Sequence, residues 1–122
     1  MTWRDTGLPW IPPSPNIPSA EAAVCYSCTG IIQHTNVSEG RGCCKPFEYI
    51  GAPFLQAAPL VERLNAAGLP GVVFREAWFQ PAFNKHQGKL CAGFHLMIDD
   101  ERRIDPLRTQ LVILKALAAL HP

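Results

Sequence analysis

The polar stretch spanning residues 33–48 holds the side chains best suited to chemistry in this 122-residue chain. It contains two carboxylates and places Arg41 between Gly40 and Gly42. Because glycine adopts positive φ without strain, such a turn lets the main chain approach a ligand closely. The guanidinium at its centre offers a rigid fork of donors that suits a carboxylate or sugar hydroxyls. The pattern predicts a loop that binds a polar ligand.

Glu39 and Glu48 are the two carboxylates of this loop. A pair of carboxyl side chains is the usual equipment for cleaving a glycosidic bond, one acting as acid and the other as base or nucleophile. The alternative is an ordinary surface turn, in which Glu39 pairs with Arg41 or caps the backbone. Spacing along the sequence does not give the separation of the carboxylates in space, so both interpretations stay open.

The five cysteines raise the question of a metal or redox site. Cys25 and Cys28 form a Cys-x-x-Cys pair, and Cys43 and Cys44 are adjacent. Neighbouring side chains rarely reach one zinc ion together, and a redox Cys-x-x-Cys belongs at the start of a helix that follows a strand. Dinucleotide, phosphate-loop and serine-hydrolase motifs are absent. The sequence therefore predicts no metal and no cofactor.

Composition narrows the class of partner. The net charge is +1, and the longest run of basic residues is the pair Arg102-Arg103, so the electrostatic footprint of a nucleic-acid binder is missing. No apolar run approaches the roughly 18 residues of a membrane span, and the N-terminus lacks the pattern of a signal peptide. The composition predicts one globular domain with neutral or specifically recognised partners and leaves the oligomeric state undecided.

The segment before the first predicted helix is rich in proline. Five of the twelve prolines fall between Pro9 and Pro18. Proline excludes a helix interior and pushes the preceding residue to extended geometry, so residues 1–18 are predicted to form a stiff, extended strap. Trp3 and Trp10 on this strap either pack against the domain or present rings to a sugar.

Caps and apolar periodicity predict the elements that position the loop. Helices are expected at about 20–28, at about 58–67, and over about fourteen residues after Asp105. A brief strand is expected to begin at Ile31-Ile32, and longer strands at 72–80 and 92–98, the former interior because it is apolar on both faces. The fold class is α+β, a small mixed layer of short strands with about three helices, preceded by the strap.

Five segments stand in an order and spacing that are more specific than composition. They are Trp-Ile-Pro-Pro-Ser-Pro-Asn-Ile-Pro at 10–18, Thr-Asn-Val-Ser-Glu-Gly-Arg-Gly at 35–42, Pro-Phe-Glu at 46–48, Gly-Ala-Pro at 51–53 and Pro-x-Phe-x-Lys-His at 81–86. Together they resemble the exo-β-N-acetylmuramidases of peptidoglycan recycling, long described only as a domain of unknown function. The resemblance covers nearly the whole chain.

The resemblance implies a bacterial glycoside hydrolase that releases N-acetylmuramic acid from the non-reducing end of peptidoglycan fragments, in the periplasm or outside the cell. In that family a Rossmann-like N-terminal domain precedes a C-terminal domain, and a cleft lies where they meet. This chain resembles the connector, residues 1–18, and part of the second domain, residues 19–122. The alternatives are a non-catalytic saccharide-binding module that uses the strap tryptophans and the polar loop, and an inactive fragment.

The resemblance also implies roles for individual residues toward a peptidoglycan-derived saccharide. Glu39 is the carboxylate expected nearest the chemistry. Polar residues that match the family pattern are expected to bind the substrate: Asn36, Ser38, Arg41, Asn84 and Lys85. Arg41 suits the lactyl carboxylate of muramic acid because a guanidinium binds a carboxylate through two parallel hydrogen bonds. Where family members carry Glu-Gly, this chain has Gln33-His34, which removes a carboxylate.

Overall fold

The computed structural model describes residues 1–120, which form three helices and a three-stranded sheet. Two short 3₁₀ turns, Trp3–Thr6 and Gly30–His34, accompany them. In chain order the elements are α1 (Ala20–Thr29), β1 (Tyr49–Ala52), α2 (Ala57–Ala66), β2 (Val72–Phe79), β3 (Cys91–Ile98) and α3 (Pro106–Leu120). No helix within this part of the chain has the length and apolar character that crossing a bilayer requires.

The three predicted helices are confirmed, and two of them begin at the predicted caps. The Ser19 hydroxyl accepts a hydrogen bond from the Ala22 amide at 3.1 Å and begins α1. The Asp105 carboxylate accepts one from the Arg108 amide, also at 3.1 Å, and Pro106 takes the first position of α3. Each cap satisfies one of the amide groups that a helix start leaves without a partner.

The sheet is antiparallel with the order β1-β3-β2, so β3 is central and β2 lies at an edge. The prediction that residues 72–80 form an interior strand is therefore wrong. Val72 and Phe74 are buried on one face of β2, whereas Ala77 and Phe79 are buried on the other. The first half of β2 therefore buries one face and the second half buries the other. This explains the apolar residues on both faces of a strand that pairs with only one neighbouring strand.

Two further local predictions are wrong. The chain at Ile31-Ile32 forms the 3₁₀ turn instead of a strand, because Gly30 keeps right-handed backbone angles, φ −58° and ψ −33°, and continues the helical path beyond α1. The strap is not extended throughout, since Thr2 and Asp5 cap the turn Trp3–Thr6. The Thr2 amide donates to the Asp5 carboxylate at 2.7 Å, and no proline precedes this turn to prevent it.

The core lies between the helices and one face of the sheet. Its fully buried members come from every layer: Ile32, Ile50, Leu60, Leu64, Phe94, Leu96 and Ile113. Phe74 and Phe94 pack edge to face at 5.3 Å beneath α2. Since β1 and the polar loop are joined along the sheet edge, this core holds the loop on a rigid support.

Candidate functional site

The polar loop, residues 33–48, is attached to the sheet through its backbone. The Ser38 amide donates to the Gly51 carbonyl at 2.8 Å, and the Gly51 amide returns a bond to Ser38 at 3.1 Å. Gly40 and Gly42 adopt φ values of 89° and 91°, which confirms the predicted positive φ. A Cβ atom at Gly42 would lie 2.5 Å from the Phe83 carbonyl oxygen. The turn therefore requires glycine for close backbone packing as well as for its dihedral angles.

Glu39 is the buried centre of the loop. Its side chain is 2 % exposed and lies between two cations. Arg41 Nε is 3.0 Å from one carboxylate oxygen, and Lys85 Nζ is 3.0 Å from the other. The Nε–H group of Arg41 is not aligned with the carboxylate as a hydrogen bond requires, so that contact is an ion pair. A buried carboxylate needs such partners, because an isolated charge in an apolar surrounding is strongly unfavourable.

Lys85 connects the loop before β3 to the polar loop, 46 residues away from Glu39 in sequence. Besides the carboxylate, its ammonium lies within hydrogen-bonding distance of the carbonyls of Ile32, Gln33 and Val37, at 3.2, 2.8 and 3.1 Å. An ammonium group carries three hydrogens, and four acceptors surround this one. Lys85 therefore has no donor left for a ligand in this arrangement.

Arg41 keeps part of its donor set free. Its Nη2 donates to the Gln33 side-chain oxygen at 3.1 Å, and Cζ lies 5.4 Å from the centroid of the Phe47 ring. The side chain is 30 % exposed, and no residue between 1 and 120 accepts a hydrogen bond from Nη1. The guanidinium is thus held by an anion, an amide and a ring, while one of its amino groups remains available to a ligand.

The other predicted binding residues have separate places. Asn36 and Asn84 are exposed beside the cluster of Glu39, Arg41 and Lys85, whereas Ser38 is buried. The Asn84 side chain accepts from the next amide at 2.8 Å, and the Ser38 hydroxyl accepts from the Gly40 amide at 3.1 Å. The structure therefore joins three of the six predicted residues directly. The roles of all six toward a substrate stay predictions.

The second carboxylate, Glu48, belongs to a different cluster. Its carboxylate oxygen lies 3.8 Å from His95 Nε2 and 4.0 Å from Lys45 Nζ. The other ring nitrogen of His95 accepts a hydrogen bond from Arg75 Nε at 2.9 Å. Glu39 and Glu48 therefore have no cation in common.

Gln33, Phe47 and His86 are contact residues that the sequence interpretation did not assign to the site. Gln33 holds Arg41, and His86 Nε2 donates to the Asn36 carbonyl at 2.6 Å. Phe47 has a φ of 65° and packs under Arg41. The Arg-Gly turn pointed to the polar loop that contains Gln33. No local sequence signal indicated a positive φ at Phe47.

The strap tryptophans form a separate pair. Trp3 and Trp10 pack edge to face at 5.3 Å, and the Trp10 ring nitrogen donates to the Ile17 carbonyl at 3.2 Å. Ion pairs attach the strap through Arg4 to Glu21 and through Asp5 to the turn after β3. None of these contacts involves residues 33–48.

The cysteines are free thiols, and three of them are buried. Cys25 lies 3.8 Å from the Leu96 carbonyl, and burial raises the pKa of its thiol strongly. Burial also raises the pKa of Cys43, to about 11. Since the thiolate is the reactive form, neither sulfur is prepared for nucleophilic chemistry near neutral pH.

The chain is similar over its whole length to known proteins. A sequence profile of the family described as exo-β-N-acetylmuramidase NamZ, C-terminal, matches residues 24–122. The peptidoglycan β-N-acetylmuramidase NamZ of Bacillus subtilis strain 168 is 48 % identical over all 122 residues, which correspond to 30 % of that protein. A crystal structure of a DUF1343 family protein from Bacteroides fragilis aligns with the whole chain at a TM-score of 0.93 and 32 % identity, over 32 % of its own chain.

These matches confirm the predicted resemblance and the α+β fold. The chain spans about a third of the length of the two relatives, so it is a fragment by comparison with them. The family profile covers the polar loop and all three strands. The chain belongs to the exo-β-N-acetylmuramidase NamZ family of peptidoglycan glycoside hydrolases, to the C-terminal part of which it corresponds.

Proposed function

We propose that this chain forms one wall of the substrate cleft in an exo-β-N-acetylmuramidase, which releases N-acetylmuramic acid from the non-reducing end of peptidoglycan fragments. The B. subtilis relative bears the name of a peptidoglycan β-N-acetylmuramidase, and its identity to this chain supports the assignment. The observation that carries the proposal is the guanidinium of Arg41, which pairs with the buried carboxylate of Glu39 and keeps Nη1 without a hydrogen-bond acceptor among residues 1–120.

Arg41 suits the part of the substrate that is unique to muramic acid. N-acetylmuramic acid differs from N-acetylglucosamine by a lactyl ether that ends in a carboxylate, so a site that distinguishes the two sugars needs a cation. Of the two cations paired with Glu39, Lys85 spends its hydrogens on protein acceptors. Arg41 retains a free amino group. A guanidinium held in place loses little freedom when it binds a carboxylate.

Glu39 is better suited to hold Arg41 than to transfer a proton. A general acid has to reach the glycosidic oxygen, directly or through one water molecule. Glu39 is enclosed between two cations at 3.0 Å. We therefore assign Glu39 and Lys85 to positioning. The carboxylate that protonates the leaving group would then come from the part of the enzyme that these 122 residues do not include, so the chain alone should bind sugar without hydrolysing it.

A hybrid enzyme tests this proposal. The corresponding 30 % of the B. subtilis relative would be replaced by this chain, and hydrolysis of a chromogenic N-acetylmuramic acid glycoside would be measured. Arg41→Ala should lower kcat/KM about 100-fold, because a charge-assisted pair with the lactyl group is lost. Arg41→Lys should recover little of that loss, since an ammonium cannot form the two parallel bonds.

Arg63→Ala provides the matched control, because Arg63 is an exposed arginine on α2 away from the loop. Its kcat/KM should equal that of the unsubstituted hybrid. Kinetics for Arg41→Ala that match those of the control would remove Arg41 from the site and defeat the proposal.

A further inference from the structure

A surface depression of about 480 Å³ lies beside the Gly30–His34 turn. The C-terminal half of α1, the Gly30–His34 turn and α3 each contribute to its wall. Its lining side chains include Tyr26, Ser27, Ile31, Gln33, His34 and Gln110. Gln33 belongs to the depression and also accepts the hydrogen bond from Arg41 Nη2, so the two features share a wall.

Tyr26 forms an aromatic platform in this depression. Its side chain is 41 % exposed although the residue lies on a helix packed against the core. The ring packs edge to face on Phe47, with centroids 4.8 Å apart and planes 87° apart. Arg41 contacts Phe47 as well, with its Cζ 5.4 Å from the centroid of the same ring. One buried ring thus supports both the cation and the exposed aromatic face.

The polar side-chain groups of the depression are two amides, two hydroxyls and an imidazole, without a carboxylate, lysine or arginine among them. The Gln110 side-chain oxygen accepts from the Ile31 amide at 3.1 Å, which leaves the Gln110 amino group without a protein partner among residues 1–120. The Tyr26 hydroxyl is likewise unpaired within that range. Such a lining matches hydroxyl and acetamido groups, which both donate and accept hydrogen bonds.

We infer that the depression binds the pyranose ring of an N-acetylated amino sugar, stacked on Tyr26, with the amino group of Gln110 directed at its hydroxyl or acetamido oxygens. This inference rests on the proposed function, because Arg41 would bind the lactyl carboxylate of the same sugar. A lactyl group places its carboxylate a few bonds from the ring. Tyr26 and Arg41 both pack on Phe47, and this proximity suits a ligand of that shape.

Amide NMR titration of the isotope-labelled 122-residue chain tests the two halves of the ligand separately. N-acetylglucosamine carries the ring without the carboxylate, D-lactate carries the carboxylate without the ring, and N-acetylmuramic acid carries both. N-acetylglucosamine should shift amides in residues 26–34 and at Gln110. Tyr26→Leu should weaken its binding about tenfold, and Tyr26→Phe should keep it within about twofold, since the stacking face is retained.

Two further variants make the result decisive. Trp78→Leu removes an aromatic residue of β2 that is more exposed than Tyr26, and it should change neither titration. Arg41→Ala should abolish the lactate response and preserve the N-acetylglucosamine response. The amide spectrum of Tyr26→Leu without ligand, which should match that of the unsubstituted chain away from residue 26, shows that this variant is folded, and its lactate response should persist.

The failures can be told apart. The sugar site in the depression, called the Tyr26 site below, is refuted if N-acetylglucosamine causes no amide shifts. It is also refuted if N-acetylglucosamine binds Tyr26→Leu as tightly as it binds the unsubstituted chain. If lactate causes no shifts while N-acetylglucosamine responds as described, the Tyr26 site is supported and the role of Arg41 is refuted.

Discussion

The strap and the polar loop both use ion pairs, yet the environments of these pairs differ. Arg4–Glu21 and Arg102–Asp5 in the strap are 2.7 Å long, shorter than the 3.0 Å pairs that Glu39 makes in the loop. The arginines of the two pairs that hold the strap are 73 % and 67 % exposed, whereas Glu39 is 2 % exposed. Distance alone would therefore rank these pairs in the wrong order of importance.

Burial decides what each pair contributes. Exposed ion pairs gain little, because water screens the charges and two long side chains have to be ordered. A buried carboxylate has already lost its hydration, so removal of its charge leaves the two facing cations without their counterion. The comparison predicts a rigid loop that is sensitive to substitution and a strap that detaches readily.

Glu39→Gln should have the largest effect. The substitution keeps the shape of the side chain but leaves Lys85 and Arg41 facing a neutral amide, which should lower the free energy of unfolding by about 3–5 kcal/mol. Urea unfolding of the 122-residue chain measures it. The matched substitution of the α1 residue that holds the strap, Glu21→Gln, should produce a much smaller change because its partner Arg4 is exposed. Equal losses for the two variants would contradict the role of burial.

Gly42→Ala should have the next largest effect, about 2–3 kcal/mol, because the new methyl group meets backbone in addition to the strain of positive φ. Gly7 in the strap has a φ of 68°, and a Cβ atom there meets nothing within 4 Å. Gly7→Ala should therefore lose only about 1 kcal/mol, from the dihedral angles alone. Urea midpoints of the two variants separate close packing from dihedral strain, and an identical loss would show that the Phe83 backbone moves aside.

Low pH should detach the strap from the rest of the domain. We expect this change to affect the free energy of unfolding less than either of the two substitutions above. The Thr2 amide hydrogen bond lowers the pKa of Asp5 from its usual 3.8, and the Arg4 hydrogen bond lowers that of Glu21 from 4.5. A native pKa below the unfolded value contributes stability above the unfolded pKa, and this stability disappears as the pH falls through the native pKa. The strap should therefore be held near neutral pH and loosen as the pH falls below about 4.

Tryptophan fluorescence in a Trp78→Phe background follows this release, since Trp3 and Trp10 then supply the signal. Asp5→Asn combined with Glu21→Gln should abolish most of the acid transition. An unaltered transition in that double variant would assign the pH dependence to other groups.

Much of the fold could be predicted because its signals are local. A serine or aspartate cap, an early proline and an apolar stripe act within one or two helical turns, and α1, α2 and α3 lie within about two residues of their predicted bounds. The edge position of β2 could not be predicted in the same way. Strand order depends on which distant segments pair when the chain folds, and the apolar pattern of one strand does not specify which strands pair with it.

In the candidate site, too, the features with a local cause were predictable and those set by tertiary packing were not. The positive φ of Gly40 and Gly42 follows from the absence of a side chain, and it was predictable from the Arg-Gly turn. The positive φ of Phe47 has no such local cause. The convergence of Arg41 and Tyr26 on that ring was equally invisible, because their contacts bring together different segments of the chain.

By itself, the sequence determined that a glycine-flanked arginine and two acids stand in one polar loop, since these are properties of neighbouring residues. Only the tertiary structure decided that Lys85 shares Glu39 with Arg41 and that the arginine keeps a free amino group. The reason is physical: charge pairing depends on which side chains are brought into the same volume and how far water is excluded there. Both quantities arise when distant segments pack.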